Sequence, residues 1–191
     1  MMRIITGSAK GIPLATLPGE ATRPTAERTK EAVFSMIGFD IEGREVLDLF
    51  SGSGQLALEA LSRGAGRAVL VDRSREAIAI IRANAKKTRL EGGCEIICSD
   101  HAGFISRSKG RKFDIVFLDP PYASELCLSS LCGLLDADML KPSSIIVCET
   151  GEEDLFKGNR TIESRFEVIK KAKYGRAYIT ILTPAKEEYY E

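Results

Sequence analysis

The chain has 191 residues, 44% hydrophobic and 28% charged, which suits one soluble globular domain with room for a small appendage. Its 27 basic and 27 acidic side chains cancel, so net charge alone gives no hint of a polyanionic partner. The five cysteines are odd in number and contain no C-x-x-C pair, which argues against a disulfide framework and a zinc knuckle. No apolar run approaches the roughly 18 residues of a membrane span, and the N-terminus lacks the long apolar stretch of a signal peptide. A cytoplasmic protein with reduced, mostly buried thiols and no metal is expected.

In chain order, Met2 to Leu17 reads as a short β segment with turns at Gly11 and Pro13. Thr25 to Ile37 reads as a helix with Ala32, Val33, Met36 and Ile37 on its buried stripe. From Glu45 the pattern alternates. Val46 to Phe50 is a short apolar run, and Gln55 to Arg63 carries Leu56, Ala57, Ala60 and Leu61 at helical spacing. Ala68 to Val71 is the next strand. Ser74 is placed to cap a helix running to about Thr88, with Ala77, Ile78, Ile81 and Ala85 on one face. Cys94 to Cys98, Phe113 to Leu118 and Ser144 to Cys148 are further strands, with a helix between Glu125 and Leu135. Phe166 to Ile169 and Ala177 to Leu182 flank Gly175 and predict an antiparallel hairpin. Alternating strands and helices imply crossovers and a parallel sheet, and the near-unbroken apolar strands imply helices on both faces.

Charge is unevenly spread. Arg3, Lys10, Arg23, Arg28 and Lys30 face only Glu20 and Glu27 in the first 30 residues. A second basic cluster is Arg107, Lys109, Arg111 and Lys112, and a third runs from Lys157 to Arg176. Each alone could be a solvated face. Together they outline a nucleic-acid surface.

The stretch Asp48-Leu49-Phe50-Ser51-Gly52-Ser53-Gly54 joins the first strand to the first helix of the alternating part. Glycine there permits a tight turn and close backbone approach to a ligand. Gly52-x-Gly54-x-x-Ala57 also satisfies the dinucleotide fingerprint. Asp48 narrows the choice, since a carboxylate would repel a pyrophosphate but suits an ammonium. Asp72 ends the second strand, where a carboxylate can accept from ribose hydroxyls, and Asp100 follows the third, near where an adenine could lie. Acids at three strand ends suit S-adenosylmethionine, whereas each acid taken singly could merely cap a turn.

Phe113 to Leu118 delivers Asp119-Pro120-Pro121-Tyr122 to the same sheet edge. The prolines have no N–H, and a carboxylate accepts only. This stiff turn therefore offers acceptors and few donors, and it complements an amino group with two N–H bonds. Tyr122 offers a stacking face for a base. The alternative is a proline stop with Tyr122 in the core. His101 is the only histidine; this chemistry needs no base, so it reads as a packing residue at the cofactor edge.

The stretches "LDLFSGSG", "FDIVFLDPPY", "TRPTAERTKEAVFSMI" and "KYG" together resemble the bacterial 16S ribosomal RNA guanine-N2 methyltransferase family of the RsmD type, from Arg3 to about Leu182. The resemblance implies a Rossmann-like class I methyltransferase fold. That fold is α/β, with a mostly parallel seven-stranded sheet and a C-terminal antiparallel hairpin. The small N-terminal β/helix extension over 1–38 would form the RNA entrance. The methyltransferase domain would span 39–185, and an acidic tail 186–191. It implies S-adenosylmethionine as cofactor, bound by Asp48, Phe50, Ser51, Gly52, Gly54, Asp72, Arg73, Asp100 and His101. Asp119, Pro120, Pro121 and Tyr122 would hold the target base. Arg3, Lys10, Arg23, Thr25, Arg28 and Lys173 would meet RNA. The substrate implied is guanine 966 of 16S RNA, free or in the 30S subunit, with a monomeric enzyme. Family members more often carry alanine at Ser51 and Gln55, and glutamate at Asp72.

The residues themselves leave other readings open. A DNA or RNA adenine-N6 or cytosine-N4 methyltransferase fits the DPPY turn, although no stretch looks large enough for a separate sequence-reading domain. A nicotinamide-dependent oxidoreductase fits the glycines but not Asp48. A non-catalytic RNA-binding protein leaves the acids unused.

Overall fold

The structure is a computed structural model that describes residues 2–17, 24–38, 41–121 and 124–186, with side chains from Glu27 in the first helix and from Glu125 in the fifth. Seven strands form one sheet: β1 (Glu45–Asp48), β2 (Arg67–Asp72), β3 (Cys94–Cys98), β4 (Phe113–Leu118), β5 (Leu140–Thr150), β6 (Phe166–Tyr174) and β7 (Ala177–Pro184). Their order is β3-β2-β1-β4-β5-β7-β6. The first five are mutually parallel. β7 runs antiparallel to both neighbours, β5 and β6, as the Gly175 hairpin predicts. The helices are α1 (Pro24–Ile37), α2 (Gln55–Ser62), α3 (Arg75–Thr88), α4 (His101–Arg107), α5 (Ser124–Asp136) and the short α6 (Arg160–Glu163). Among the described residues, no helix is long and apolar enough to cross a membrane.

β4 shows why the sheet forms where it does. All of its residues except Asp114 are buried. Side chains alternate across a strand, so Ile115 and Phe117 enter a core with α1, α2 and α3. Val116 and Leu118 enter a second core with α4 and α5. Burial of each such apolar side chain is worth about 1.5–3 kcal/mol. Asp114 is used at the strand's outer end, where Lys141 Nζ and the Glu45 amide donate to it at 2.8 and 2.9 Å.

Parallel strands end at one edge, and four neighbours bring acids there. Asp72 closes β2, Asp48 closes β1, Asp119 follows β4, and Glu149 is the penultimate residue of β5.

The N-terminal segment folds on itself through an Arg3–Pro13 bridge and a turn at Gly11, with φ 84°. A fully buried acid fastens it to α2. Glu59 accepts from the amides of Ile5 at 2.8 Å and Thr6 at 3.0 Å, and from Arg63 Nε at 2.9 Å. Lys30 Nζ lies 3.3 Å from Glu59 and donates to the Arg3 carbonyl at 2.5 Å. Hence the stripe of α1 is rotated from the expected one. Lys30, Val33, Phe34 and Ile37 are buried, whereas Ala32 and Met36 are only partly so. A lysine takes an apolar position because Glu59 and a carbonyl satisfy its charge.

Other expectations also need correction. The first apolar run is strand only to Asp48, since Leu49 and Phe50 already belong to the turn. The fifth strand reaches from Leu140 to Thr150, longer than its apolar centre. α4 occupies a stretch read as loop and basic cluster. Cys98 is exposed rather than buried, because it lies at the end of β3. The second basic cluster is largely engaged: Arg111 pairs with Glu95, Lys112 with Asp138, and Arg107 donates to Ser99 Oγ.

Candidate active site

The turn from β1 to α2 is held open by backbone geometry. Gly52 and Gly54 have φ values of 53° and 80°, the left-handed region that glycine enters freely. A Cβ on Gly54 would sit 3.2 Å from Leu70 Cδ2. Neighbours then clamp the loop. The Ser51 amide donates to Val71 O at 3.0 Å, and its hydroxyl to Asp48 O at 2.8 Å. The Gly52 amide donates to Asp72 Oδ2 at 2.9 Å, while Ser74 N donates to Asp72 Oδ1 at 2.8 Å. Asp72 is thus a clasp for the loop. Each of its oxygens keeps a further lone pair for a ligand hydroxyl. Asn84 Nδ2 donates to Ser53 O and to Ala15 O, both at 2.9 Å, which joins the loop to the N-terminal segment.

Asp48 is 1% exposed. Burial pushes its carboxyl up to about 7, and the Asp72 charge adds to the rise. The Ala57 and Phe50 amides and the Ser51 hydroxyl oppose the rise, but none makes a hydrogen bond of normal geometry to either Oδ atom. Four buried side-chain oxygens lack a partner among the described residues, and three are Asp48 Oδ1, Asp48 Oδ2 and Gln55 Oε1. Two loop ends therefore concentrate nearly all the unmet acceptor capacity. A buried unpaired carboxylate is costly, and a ligand ammonium would supply both the missing charge and the missing donors.

The rest of the predicted cofactor set lies along the same edge. Asp100 is exposed and caps α4, accepting from the Gly103 amide at 2.7 Å, which holds its carboxyl below the usual range. This capping was the simpler alternative in the sequence, and it leaves lone pairs outward. His101 opens α4 and packs on Phe50, ring centroids 5.6 Å apart. Arg73 is exposed at the end of β2.

After β4, Asp119 is partly buried, Pro120 is buried and Pro121 is exposed. Tyr122 lies outside the described residues. Asp119 lines a cleft of roughly 480 Å³, open mouth included, with walls from α1 (Thr29, Lys30, Val33), α2 (Gln55, Leu56), β5 (Val147, Glu149) and β7 (Ile179). Gln55 thus touches both the glycine loop and the cleft. Glu149 is half-buried, and burial pushes its carboxyl up. Sequence reading missed it. Its only mark was an acid closing an apolar strand, as at Asp48 and Asp119.

Of the predicted RNA contacts, Arg3, Lys10, Arg28 and Lys173 are exposed. Arg3 pairs with Glu27 at 2.9 Å, and Lys173 lies 4.8 Å from the centre of the Tyr178 ring. α1, which carries Arg28, contacts β6, which carries Lys173. Arg23 and the Thr25 side chain lie outside the described residues.

Comparison with known proteins finds relatives of the fold and of the chain. The profile of the family described as "Conserved hypothetical protein 95" matches residues 2–183. YlbH of Bacillus subtilis is 40% identical over 155 residues, covering 80% of this chain and 84% of YlbH. Ribosomal RNA small subunit methyltransferase D of Escherichia coli is 33% identical over 153 residues, covering 80% and 76%. The solved structure of yhhF from Escherichia coli superposes with a TM-score of 0.83 at 27% identity, covering 96% of this chain and 97% of that one.

Proposed function

The chain belongs to the Conserved hypothetical protein 95 family, the RsmD-type ribosomal RNA methyltransferases, and on that premise we propose that it methylates the N2 amine of guanine 966 in 16S RNA. The observation that carries the reading is Asp48: a buried acid whose two oxygens have no hydrogen-bond partner among the described residues, one strand from an acceptor-only turn. S-adenosylmethionine is the cofactor that fits, and when bound it supplies an electrophilic methyl group. Asp48 would hold its ammonium. Asp72 would accept from the ribose. The Phe50 and His101 edge, with Asp100, would border the adenine.

Asp119 and the Pro120 carbonyl accept the two N–H bonds of the substrate amine. With both hydrogens fixed, the nitrogen lone pair is aimed at the cofactor side of the cleft, and the acceleration comes from positioning. Transfer of the methyl group, with the cofactor's sulfur departing as a thioether, would leave the amine one proton in excess, and Asp119, which accepts that N–H, would take it. Tyr122 stacks on the base, a contact worth about 1–3 kcal/mol. A base reaches such a cleft only unstacked, from a loop or by flipping. Arg3, Lys10, Arg23, Thr25, Arg28 and Lys173 grip phosphates, which positions the RNA without reading it. The enzyme is proposed to work as a monomer in the cytoplasm, on ribosomal RNA or the 30S subunit.

The test supplies labelled S-adenosylmethionine and unmodified 30S particles, then digests the RNA to nucleosides. Label in N2-methylguanosine is expected. Label in N6-methyladenosine or N4-methylcytidine, or none, would overturn the reading.

A further inference from the structure

We propose that Glu149 is the residue that selects guanine, by accepting the ring N1–H that lies beside the amine held by Asp119; the inference rests on the methyltransferase reading above. β4 and β5 are neighbouring parallel strands in which Leu118 pairs with Cys148, so Asp119 and Glu149 are the next residues along each. Leu118 and Cys148 both pack into the core with α4 and α5. Alternation across the strands then turns Asp119 and Glu149 to the opposite face, under α1. The cleft confirms this, since both line it beside Val147 and Ile179 of the same face. Two acids at the same level on strands about 4.8 Å apart can address neighbouring positions of one base edge.

Among the described residues, no hydrogen bond or ion pair engages the carboxyl of the second acid, Glu149. Among the described residues the ammonium in the cleft wall is that of Lys30, which is 2% exposed and committed to Glu59 and the Arg3 carbonyl.

Three nucleobases carry an exocyclic amine, and they differ at the adjacent ring atom. Guanine offers N1–H, a donor, beside N2. Adenine offers a bare N1 beside N6, and cytosine a bare N3 beside N4. A carboxylate set next to the amine holder therefore meets a donor only in guanine. In the other two it faces a lone pair, and a buried charged acceptor left without a donor disfavours binding. Asp119 alone accepts any of the three amines; Asp119 with Glu149 accepts one.

The experiment uses the full chain and small subunits reconstituted with 16S RNA carrying guanine or 2-aminopurine at the methylated position. 2-Aminopurine keeps the N2 amine but has a bare N1 and no O6. The wild type is expected to methylate the guanine particles roughly 10- to 100-fold more efficiently. Glu149→Gln, whose amide can accept or donate, is expected to lose guanine activity and bring the two rates close together. Glu149→Asp, with a shorter arm, should lower the guanine rate and, by drawing the carboxylate back from the bare N1, raise the 2-aminopurine rate, so that the ratio narrows. Equal wild-type rates would overturn the proposal. So would a wild-type ratio retained in both variants, because O6 would then carry the discrimination. Absence of methylation on either particle by the wild type would instead refute the methyltransferase reading itself.

Discussion

Replacing Asp48 with Asn should make the ligand-free protein more stable while destroying its cofactor site. Burial raises the Asp48 carboxyl from an ordinary 3.8 to about 7. The folded state therefore holds this proton more tightly than the unfolded chain does. The stability associated with the neutral acid is complete below about pH 4, falls as pH climbs, and is gone above about pH 7. Roughly three pK units at 1.36 kcal/mol each make the loss about 4 kcal/mol. Asn cannot ionise, so Asp48→Asn escapes that loss, less what its own buried amide leaves unsatisfied. At pH 8 the variant should be about 2–4 kcal/mol more stable; at pH 4 the two should nearly coincide. For a chain of this size that corresponds to an upward shift of roughly 4–16 °C in Tm at pH 8. Thermal unfolding followed by circular dichroism at both pH values measures it. Adding S-adenosylmethionine at pH 8 should raise the wild-type Tm and leave the variant unmoved. Parallel pH profiles for the two proteins would refute the reasoning, since Asp48 would then not be the group that titrates.

Asp119→Ala should abolish methyl transfer and leave S-adenosylmethionine affinity, read by calorimetry, nearly unchanged; lost cofactor binding would contradict the assigned role. Glu59→Gln removes the charge beside buried Lys30 and weakens the acceptors of Ile5 and Thr6. Breaking such a pair costs about 3–5 kcal/mol, and a shift in urea midpoint worth less than about 1 kcal/mol would show that the pair does not fasten the N-terminal segment. Gly54→Ala places a Cβ at φ 80° and 3.2 Å from Leu70. It should cost about 1–2 kcal/mol from the left-handed backbone, with weaker cofactor binding in the same preparation.

The parallel half of the fold was legible because each strand is a short apolar run that needs cover on both faces. Cys94–Cys98 and Phe113–Leu118 carry the same boundaries in sequence and structure. Ser74 caps α3 as its position suggests, its hydroxyl accepting from Ala77 N. α4 was missed because only Phe104 and Ile105 of its seven residues are buried, too few to set a period, while Gly103 argues against a helix. The stripe of α1 and the burial of Glu59 were hidden for one reason. Lys30 and Glu59 are charged, and what permits their burial is a partner 29 residues away. The acids of the site were readable as strand ends. That Asp48 lacks a hydrogen-bond partner among the described residues and that Asp100 spends one oxygen on a cap are matters of geometry. Glu149 needed the β4–β5 register before it could be placed beside Asp119.

The row of carboxylates at the ends of β2, β1, β4 and β5 has a consequence for what RNA can bring near. A phosphate carries charge and is repelled by such a rim; a nucleobase is neutral and is not. On the proposed function the rim would sort the parts of a nucleotide, admitting the ring and turning the backbone outward toward the exposed Arg3, Lys10 and Arg28. Counterions act differently on the two sides of that boundary. Salt would loosen the proposed outer grip on phosphates steeply, with screening over about 10 Å at 0.1 M. Charges in contact inside a partly buried cleft are screened far less. Rising ionic strength should therefore drive RNA off the protein long before it lets a phosphate occupy the place of the base.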